Sequence, residues 1–234
     1  MIVNAVILAR GGSKGILGKN IIEFCGKPLL AWTIEQCLQA ESVSGVWVSS
    51  DDKKILAVAE IYGAQLIERP AEISDDFATS ESAWLHAVNY LEQRELTTDV
   101  LLAPQVTSPL RTLEDIEKAI ATFENEKLDS LFSASIAEDL YYWERAKDGK
   151  LSSVNYDYLN RKRRQDFQPQ IIENGSFYLF KPDVLKKENN RFGGEVGYSE
   201  MEFWKMFEID TLDDLRMCSS LMNEFLINGD SSND

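Results

Sequence analysis

The chain has 234 residues, a length that fits one α/β domain with a modest insertion. Its 39 acidic residues outnumber 24 basic ones, and the formal net charge of −15 argues against general nucleic-acid binding and against an anionic membrane surface. Three cysteines without a CxxC pair and a single histidine, His86, argue against a zinc site and favour reduced thiols in a cytoplasmic protein.

The first half of the chain alternates short apolar runs with segments of helical periodicity. Residues 3–9 are apolar and rich in β-branched side chains, which predicts a buried parallel strand and neither a signal peptide nor a membrane span. Residues 28–40 have apolar side chains at helical spacing after Pro28, which predicts a crossover helix. The alternation continues with predicted strands at 45–49, 65–68, 99–103 and 130–136 and predicted helices at 53–62, 82–93 and 113–125.

Repeated strand–helix units predict an α/β fold with a mostly parallel, Rossmann-like sheet and right-handed crossovers. In such sheets, ligands bind beyond the carboxyl ends of the strands. The loops that contain Arg10, Asp51, Arg69 and Gln105 follow four of the predicted strands, so we expect them to face one edge of the sheet.

The alternation breaks after residue 136. Residues 137–172 contain several aromatic residues, a predicted turn at Gly149 and a basic cluster at 161–164, and they are too many for a plain loop. We predict that this excursion packs against a second copy of the chain and that residues 1–136 and 173–227 form one α/β domain. The remaining predicted elements are strands at 176–180 and 207–210, a helix at 212–227 and a flexible tail at 228–234.

A glycine-rich basic segment, ARGGSKGILGKN, occupies residues 9–20, directly after the first predicted strand. Its four glycines allow backbone N–H groups to approach an anion closely. Arg10, Lys14 and Lys19 add three positive charges to an otherwise acidic chain. A triphosphate is the ligand that best matches this combination.

The same segment differs from two common nucleotide-binding loops. A Walker A motif requires GxxxxGK followed by Ser or Thr, whereas Lys19 is followed by Asn20 and Ser13 stands at the first glycine position. The dinucleotide motif GxGxxG is also absent from this segment. These differences argue against a P-loop kinase or GTPase, and a regulatory module that binds nucleotide without catalysis stays open as an alternative.

Two carboxylates near the end of the chain are candidate metal ligands. Glu208 and Asp210 are two residues apart, so a strand at 207–210 would present both on one face. Carboxylate oxygens of this kind suit Mg²⁺ or Mn²⁺ beside phosphates. Asp213 and Asp214 follow, and we expect them to begin or cap the next helix.

Several stretches together resemble the motifs of the acylneuraminate cytidylyltransferases, the CMP-sialic acid synthetases. Residues 8–21, LARGGSKGILGKNI, resemble the family signature, with Leu17 where proline is usual. Glu208 likewise stands where the family usually has the first aspartate of Asp-x-Asp. Further matches, in order along the chain, are GKPL at 26–29, ERPAE at 68–72 with ATS at 78–80, QVTSPLR at 105–111, and RRQD at 163–166 with ENGSFY at 173–178.

The resemblance implies a nucleotidyltransferase-type fold and a Mg²⁺- or Mn²⁺-dependent transfer of CMP from CTP to a nine-carbon sialic-acid-type sugar. Legionaminic, pseudaminic, KDN or KDO-type acids stay open as alternative acceptors. It also implies a homodimer in which Arg164 and Gln165 reach the neighbouring subunit's sugar site.

The resemblance further implies roles for individual residues. Arg10, Lys19 and Asp210 would be catalytic, and Asp210 and Glu208 would hold the metal. The implied nucleotide contacts are Arg10, Gly11, Gly12, Ser13, Lys14, Lys19, Asn20, Arg69 and Ser80. The implied sugar contacts are Gln105, Thr107, Ser108, Arg164, Gln165, Asn174, Ser176 and Tyr178.

Two of the residues in these motifs have structural alternatives. Ser80 is a candidate N-cap of the helix predicted near it, with Ser82 as the rival. Arg111 is a candidate ion-pair partner of Glu114 or Asp115.

Overall fold

The computed structural model describes residues 1–137, 140–166 and 168–228, without the side chain of Arg164. The strands are β1 (Val3–Leu8), β2 (Glu23–Phe24), β3 (Lys27–Pro28), β4 (Gly45–Ser50), β5 (Gln65–Glu68), β6 (Val100–Pro104), β7 (Ser130–Ala137), β8 (Trp143–Arg145), β9 (Leu151–Ser153), β10 (Gln170–Phe180) and β11 (Val196–Glu200). The helices are α1 (Leu29–Gln39), α2 (Lys53–Ile61), α3 (Ser80–Glu92), α4 (Leu113–Asn125), α5 (Pro182–Glu188) and α6 (Leu212–Met222).

Seven of these strands form one central sheet in the order β11-β7-β10-β6-β1-β4-β5. All neighbouring pairs are parallel except those of β10, which runs antiparallel to both β6 and β7. The predicted α/β fold with a mostly parallel sheet is therefore confirmed.

Apolar side chains cover both faces of the sheet, as the apolar runs of its central strands predict. In β1, Ala5 and Ile7 point into a core that also contains residues of α1, α2, α4 and α6. Val6, between them, points into a second core with residues of α3 and α5. Burial of each such large aliphatic side chain contributes about 1.5–3 kcal/mol, so this sheet is a rigid platform for the loops at its edge.

The strand predicted at 207–210 is wrong. The sheet edge beside β7 is occupied by β11, which the sequence analysis did not predict. A 3₁₀ turn, Phe203–Met206, then leads to residues 207–210, where the backbone N–H of Ile209 donates to the carbonyl of Thr107 at 2.8 Å. Because this segment docks on the loop after β6, the period-two argument for Glu208 and Asp210 does not apply.

Two further differences concern the later elements. Strand β10 begins at Gln170 and not at 176, and its first residues pair with the end of β7. Helix α6 ends at Met222, and a π-helical turn, Asn223–Ile227, replaces the last part of the predicted helix.

The segment predicted as an excursion contains a hairpin of β8 and β9 that closes through a turn at Gly149, whose φ of +85° suits glycine. Residues 138, 139 and 167 of this segment, and residues 229–234 of the predicted tail, lie outside the described residues. The division into domains stays a prediction. In the described ranges, no helix combines the length and apolarity needed to cross a membrane.

Candidate active site

Loops after several strands meet at the carboxyl edge of the sheet, as the sequence analysis predicts. The backbone N–H of Gly11, after β1, donates to Oδ1 of Asp51, after β4, at 3.1 Å. The same Asp51 oxygen lies 3.8 Å from Nη2 of Arg69, after β5. The backbone N–H of Gln105, after β6, donates to the carbonyl of Ser176 at 2.9 Å, which joins β10 to this edge.

The three cations of the glycine-rich loop each face a carboxylate. Arg10 and Lys14 both contact Asp76, at 3.2 Å and 2.8 Å. Nζ of Lys19 lies 2.7 Å from Oδ1 of Asp210. The Lys19 side chain is 14% exposed and that of Lys14 is 73% exposed, so Lys19 is the less hydrated charge. Phosphates entering this loop would exchange with the carboxylates as partners of the cations.

Close packing explains two features of the loop. A Cβ on Gly15 would lie 2.4 Å from the backbone oxygen of Asp210, so only glycine allows this approach. Asn20 is buried, and its Nδ2 donates to the carbonyl of Arg10 at 2.9 Å. Asn20 therefore holds the loop in shape.

A cavity of about 280 Å³ lies beside Arg10. The Arg69 side chain is 5% exposed in its wall, and Nε of Arg69 has no hydrogen-bond partner within the described ranges. Burial lowers the pKa of Arg69, Asp51 opposes that shift and Arg10 adds to it. A buried donor without an acceptor costs about 1–3 kcal/mol, which a bound acceptor would recover. The lining residues are Leu8, Arg10, Arg69, Ile73, Ser74, Asp75, Asp76, Ala78, Thr79 and Ser80.

The N-cap of α3 is Thr79, whose Oγ1 accepts from the backbone N–H of Ser82 at 3.2 Å. The two caps considered from the sequence, Ser80 and Ser82, are therefore wrong. Ser80 is the first residue of the helix, is exposed and lines this cavity. Its hydroxyl is thus placed to contact a ligand there.

A second cavity of about 360 Å³ lies between the loop after β6 and strand β10. Gly175, with φ of +69°, lies near the polar ends of two side chains. A Cβ at this position would lie 3.5 Å from Nε2 of Gln105 and 4.0 Å from Oε2 of Glu208. Sequence reasoning missed Glu173, although it lies in the ENGSFY motif, and Met206, which had no motif. The lining residues are Gln105, Glu173, Asn174, Gly175, Tyr178, Met206 and Glu208.

Three other predicted sugar contacts, Thr107, Asn174 and Ser176, have polar groups engaged inside the protein, whereas the buried Ser108 hydroxyl has no hydrogen-bond partner among the described residues. Oδ1 of Asn174 accepts from Oγ of Ser133 at 2.6 Å and from the N–H of Ser176 at 3.1 Å. Ser176 and Ser108 are buried, and Thr107 contacts Glu208 through its side chain. None of Thr107, Ser108 and Ser176 lines the second cavity.

The predicted ion pair of Arg111 with Glu114 or Asp115 is wrong. Asp115 pairs with Lys205 at 2.9 Å. Arg111 is fully buried, and burial lowers its pKa to about 10. Its two terminal nitrogens instead tie the loop after β6 to α1 and β10 by donating to the carbonyls of Gln105, Ser108 and Ser176, to Oγ of Ser176 and to the hydroxyl of Thr33.

Glu208 and Asp210 come together through the loop docking described above. Burial raises the pKa of Glu208, Asp210 adds to the shift, and Lys19 and Thr107 oppose it. No group of three or more His, Cys, Asp or Glu side chains able to hold a metal occurs among the described residues. Two carboxylates fit Mg²⁺ nonetheless, because this ion commonly takes one or two carboxylates and completes its shell with phosphates and water.

One predicted residue of the excursion remains apart from these cavities. Gln165 lies in a 3₁₀ turn, is exposed and lines neither cavity. The side chain of Arg164 lies outside the described part of the chain.

The comparison with known proteins identifies the family. The family model described as Cytidylyltransferase matches residues 4–229. This chain belongs to that family.

Curated relatives carry two acid sugars in their names. N-acylneuraminate cytidylyltransferase A of Danio rerio is 33% identical over 89% of this chain and 48% of its own length. The chain thus spans about half the length of the first curated relatives that it matches. Pseudaminic acid cytidylyltransferase of Campylobacter jejuni is 32% identical over 92% of this chain and 94% of its own length.

Solved structures have the same fold at low identity. A CMP:2-keto-3-deoxy-manno-octonic acid synthetase, in complex with CTP, has a TM-score of 0.73 at 16% identity. The match covers 97% of this chain and 100% of the synthetase chain. A 4-diphosphocytidyl-2C-methyl-D-erythritol synthase from Anaerococcus prevotii has a TM-score of 0.66 at 15% identity, covering 95% and 96%. These likenesses support the nucleotidyltransferase type of the fold.

Proposed function

We propose that this chain transfers CMP from CTP to an N-acylneuraminate-type nine-carbon acid, with release of pyrophosphate. The observation that carries the proposal is the contact of Lys19 with Asp210. Both interact electrostatically with Glu208, which lines the second cavity. A phosphate-binding cation and two candidate metal ligands thus adjoin the cavity in which an acceptor would bind.

In this proposal the cavity beside Arg69 takes the cytosine and ribose. The unpartnered Nε of Arg69 and the hydroxyl of Ser80 would satisfy acceptors of a pyrimidine. Arg10, Lys14 and Lys19, with the backbone N–H groups of residues 11–13, would hold the phosphates.

The anomeric hydroxyl of the sugar would attack the α-phosphorus in line, and pyrophosphate would leave without a covalent enzyme intermediate. The chain contributes position and charge: Arg10 and Lys19 offset negative charge on the leaving group, and Gln105 with Tyr178 orients the sugar. Asp210 and Glu208 would hold Mg²⁺ or Mn²⁺, which supplies neutralisation of phosphate charge.

Pyrophosphate release measured with each of the four nucleotides tests this function. Release with CTP and an acid sugar supports it, whereas CTP binding without release supports the regulatory module. Hydrolysis of ATP or GTP would support a kinase or GTPase.

The acceptor is the finer question. A pseudaminic-type acid is the second candidate, because the relative with that name covers this chain almost end to end. Mass spectrometry of the product from CTP and a mixture of N-acylneuraminate and pseudaminic acid decides between them, since these two acids give CMP adducts of different mass. Isomeric acids, such as legionaminic and pseudaminic acid, are incubated with CTP in separate reactions.

We also propose a cytoplasmic homodimer. Trp143 and Leu159, on and near the β8–β9 hairpin, are 44% and 76% exposed, which favours burial against a second copy. The three free cysteines, Cys25, Cys37 and Cys218, are consistent with a reducing compartment. Sedimentation of the wild type and of Trp143→Ser with Leu159→Ser tests the dimer, and a wild-type monomer would refute it.

A further inference from the structure

Arg191 lies outside the lining of both cavities but contacts Tyr178, which lines the second. Its Nε and Nη2 donate to Oε1 of Glu81 at 2.9 Å and 2.7 Å. Its guanidinium carbon lies 4.7 Å from the ring centroid of Trp84 and 4.6 Å from that of Tyr178. The side chains of Arg191 and Glu81 are 20% and 16% exposed, so solvent screens this pair less than a surface pair.

Tyr178 connects this cation to the second cavity. Its hydroxyl donates to Oε1 of Glu173 at 2.6 Å, and both residues line the cavity. Its ring packs edge-on against Trp84 and Phe192, with centroids 6.4 Å and 5.8 Å away. Any shift of the Tyr178 ring would therefore also move its hydroxyl relative to the Glu173 carboxylate.

Glu81 connects the same cation to the nucleotide side. It lies in the first turn of α3, directly after Thr79 and Ser80, which line the first cavity. A planar guanidinium suits this place because it can stack on aromatic faces while it donates in its own plane. Arg191 thus contacts both Glu81, at the start of α3, and Tyr178, in the wall of the second cavity.

We infer that Arg191 is a positioning residue for the acid sugar: it fixes the ring of Tyr178 and, through the Tyr178 hydroxyl, the carboxylate of Glu173. This inference rests on the proposed function. Oriented Tyr178 and Glu173 groups read hydroxyl and amide groups of the sugar. Loss of their support therefore raises the KM for the sugar more than the KM for CTP.

Steady-state kinetics of Arg191→Met test this inference. Methionine keeps apolar packing against the two rings but removes the charge and both hydrogen bonds. We expect the KM for the acid sugar to rise about tenfold, with kcat and the KM for CTP within about twofold of wild type. Arg191→Lys should lie between the two proteins, since lysine restores the charge without the planar stack.

Arg94→Met is the matched control. Arg94 lies near the other end of α3 and is exposed, and its guanidinium carbon lies 3.4 Å from the ring centroid of Tyr90. Its kinetic constants should equal those of wild type. A lower Tm of Arg191→Met with both KM values unchanged would overturn the inference and leave a structural role only. An equal rise of both KM values would also overturn it.

Glu81→Gln supplies a second arm. It should also raise the KM for the sugar. If the two residues act as one unit, the KM for the sugar in the double variant with Arg191→Met should rise by less than the product of the two single-variant increases. An increase equal to that product would contradict the action of the two residues as one unit.

Two measurements separate this inference from the proposed function. Wild-type turnover with CTP and the acid sugar tests the function alone. Nuclear magnetic resonance of isotope-labelled tyrosine tests the positioning without substrate, and the Tyr178 signal should shift in Arg191→Met but not in Arg94→Met. An unchanged Tyr178 signal would refute the positioning whatever the activity.

Discussion

Nζ of Lys19 lies 2.7 Å from Oδ1 of Asp210, although 191 positions separate the two residues in the chain. The contact joins the glycine-rich loop after β1 to the segment before α6. Gly15 approaches the Asp210 backbone in the same region. A cation that we propose binds phosphate and a candidate metal ligand are thereby held together before any substrate arrives.

Replacement of Lys19 by alanine should lower turnover about 10²-fold or more, because it removes one charged donor from a preorganised site. The measurement is pyrophosphate release at saturating CTP. Lys181→Ala is the matched control, since Lys181 forms an ion pair of the same 2.7 Å length with Asp129 away from both cavities. Near-normal turnover of Lys19→Ala would refute the phosphate assignment.

Replacement of Asp210 by asparagine should abolish activity at ordinary Mg²⁺ concentrations and leave the circular dichroism spectrum unchanged. The amide keeps the shape of the side chain but loses the charge that a divalent cation requires. Asp213→Asn is the control, because the Asp213 side chain is 90% exposed and pairs with Arg216 at 3.1 Å. Full activity of Asp210→Asn would move the metal elsewhere.

Chelation provides an independent test of the metal. Removal of divalent cations with EDTA should stop turnover of the wild type, and added Mg²⁺ or Mn²⁺ should restore it. Unchanged turnover in EDTA would refute the proposed cofactor.

Replacement of Gly15 by alanine should destabilise the protein by about 1–3 kcal/mol, the usual cost of forcing an extra methyl into a packed position. The new Cβ would lie 2.4 Å from the Asp210 backbone oxygen, and a backbone atom cannot turn aside as a side chain can. Urea denaturation measures the effect. Gly12→Ala should unfold like wild type, since a Cβ there meets nothing within 4 Å; equal losses in both variants would contradict this account.

Stability should fall as the pH falls below about 6.5, in part because of His86. Burial lowers the pKa of His86 and Arg69 adds to that shift, so protonation favours the unfolded chain. The stability that neutral His86 contributes is complete above the pKa of His86 in the unfolded chain. It is lost as the pH falls through the lower pKa of His86 in the folded protein. Between about pH 7.5 and about pH 5.5, the unfolding free energy should fall less in His86→Gln than in wild type. Equal losses in the two proteins would exclude His86 as a cause.

Local patterns in the sequence determined most of the central fold. The apolar runs of β1, β4, β6 and β7 are buried on both faces, as is typical of central strands of an α/β sheet. The rule that parallel strands end at one edge then placed the loops at Arg10, Asp51, Arg69 and Gln105 together, and the contacts of Asp51 with Gly11 and Arg69 agree with it.

The tertiary structure alone decided which side chains meet. Strand β11 reads as a polar segment and joins the sheet only because β7 offers a free edge, so residues 207–210 dock on Thr107 and bring Asp210 to Lys19. Arg111 bonds carbonyls and not Asp115 because burial places it among backbone oxygens, which no spacing rule foretells. Local periodicity specifies strands, helices and their order, whereas contacts across long stretches of chain depend on how the packed layers fill space.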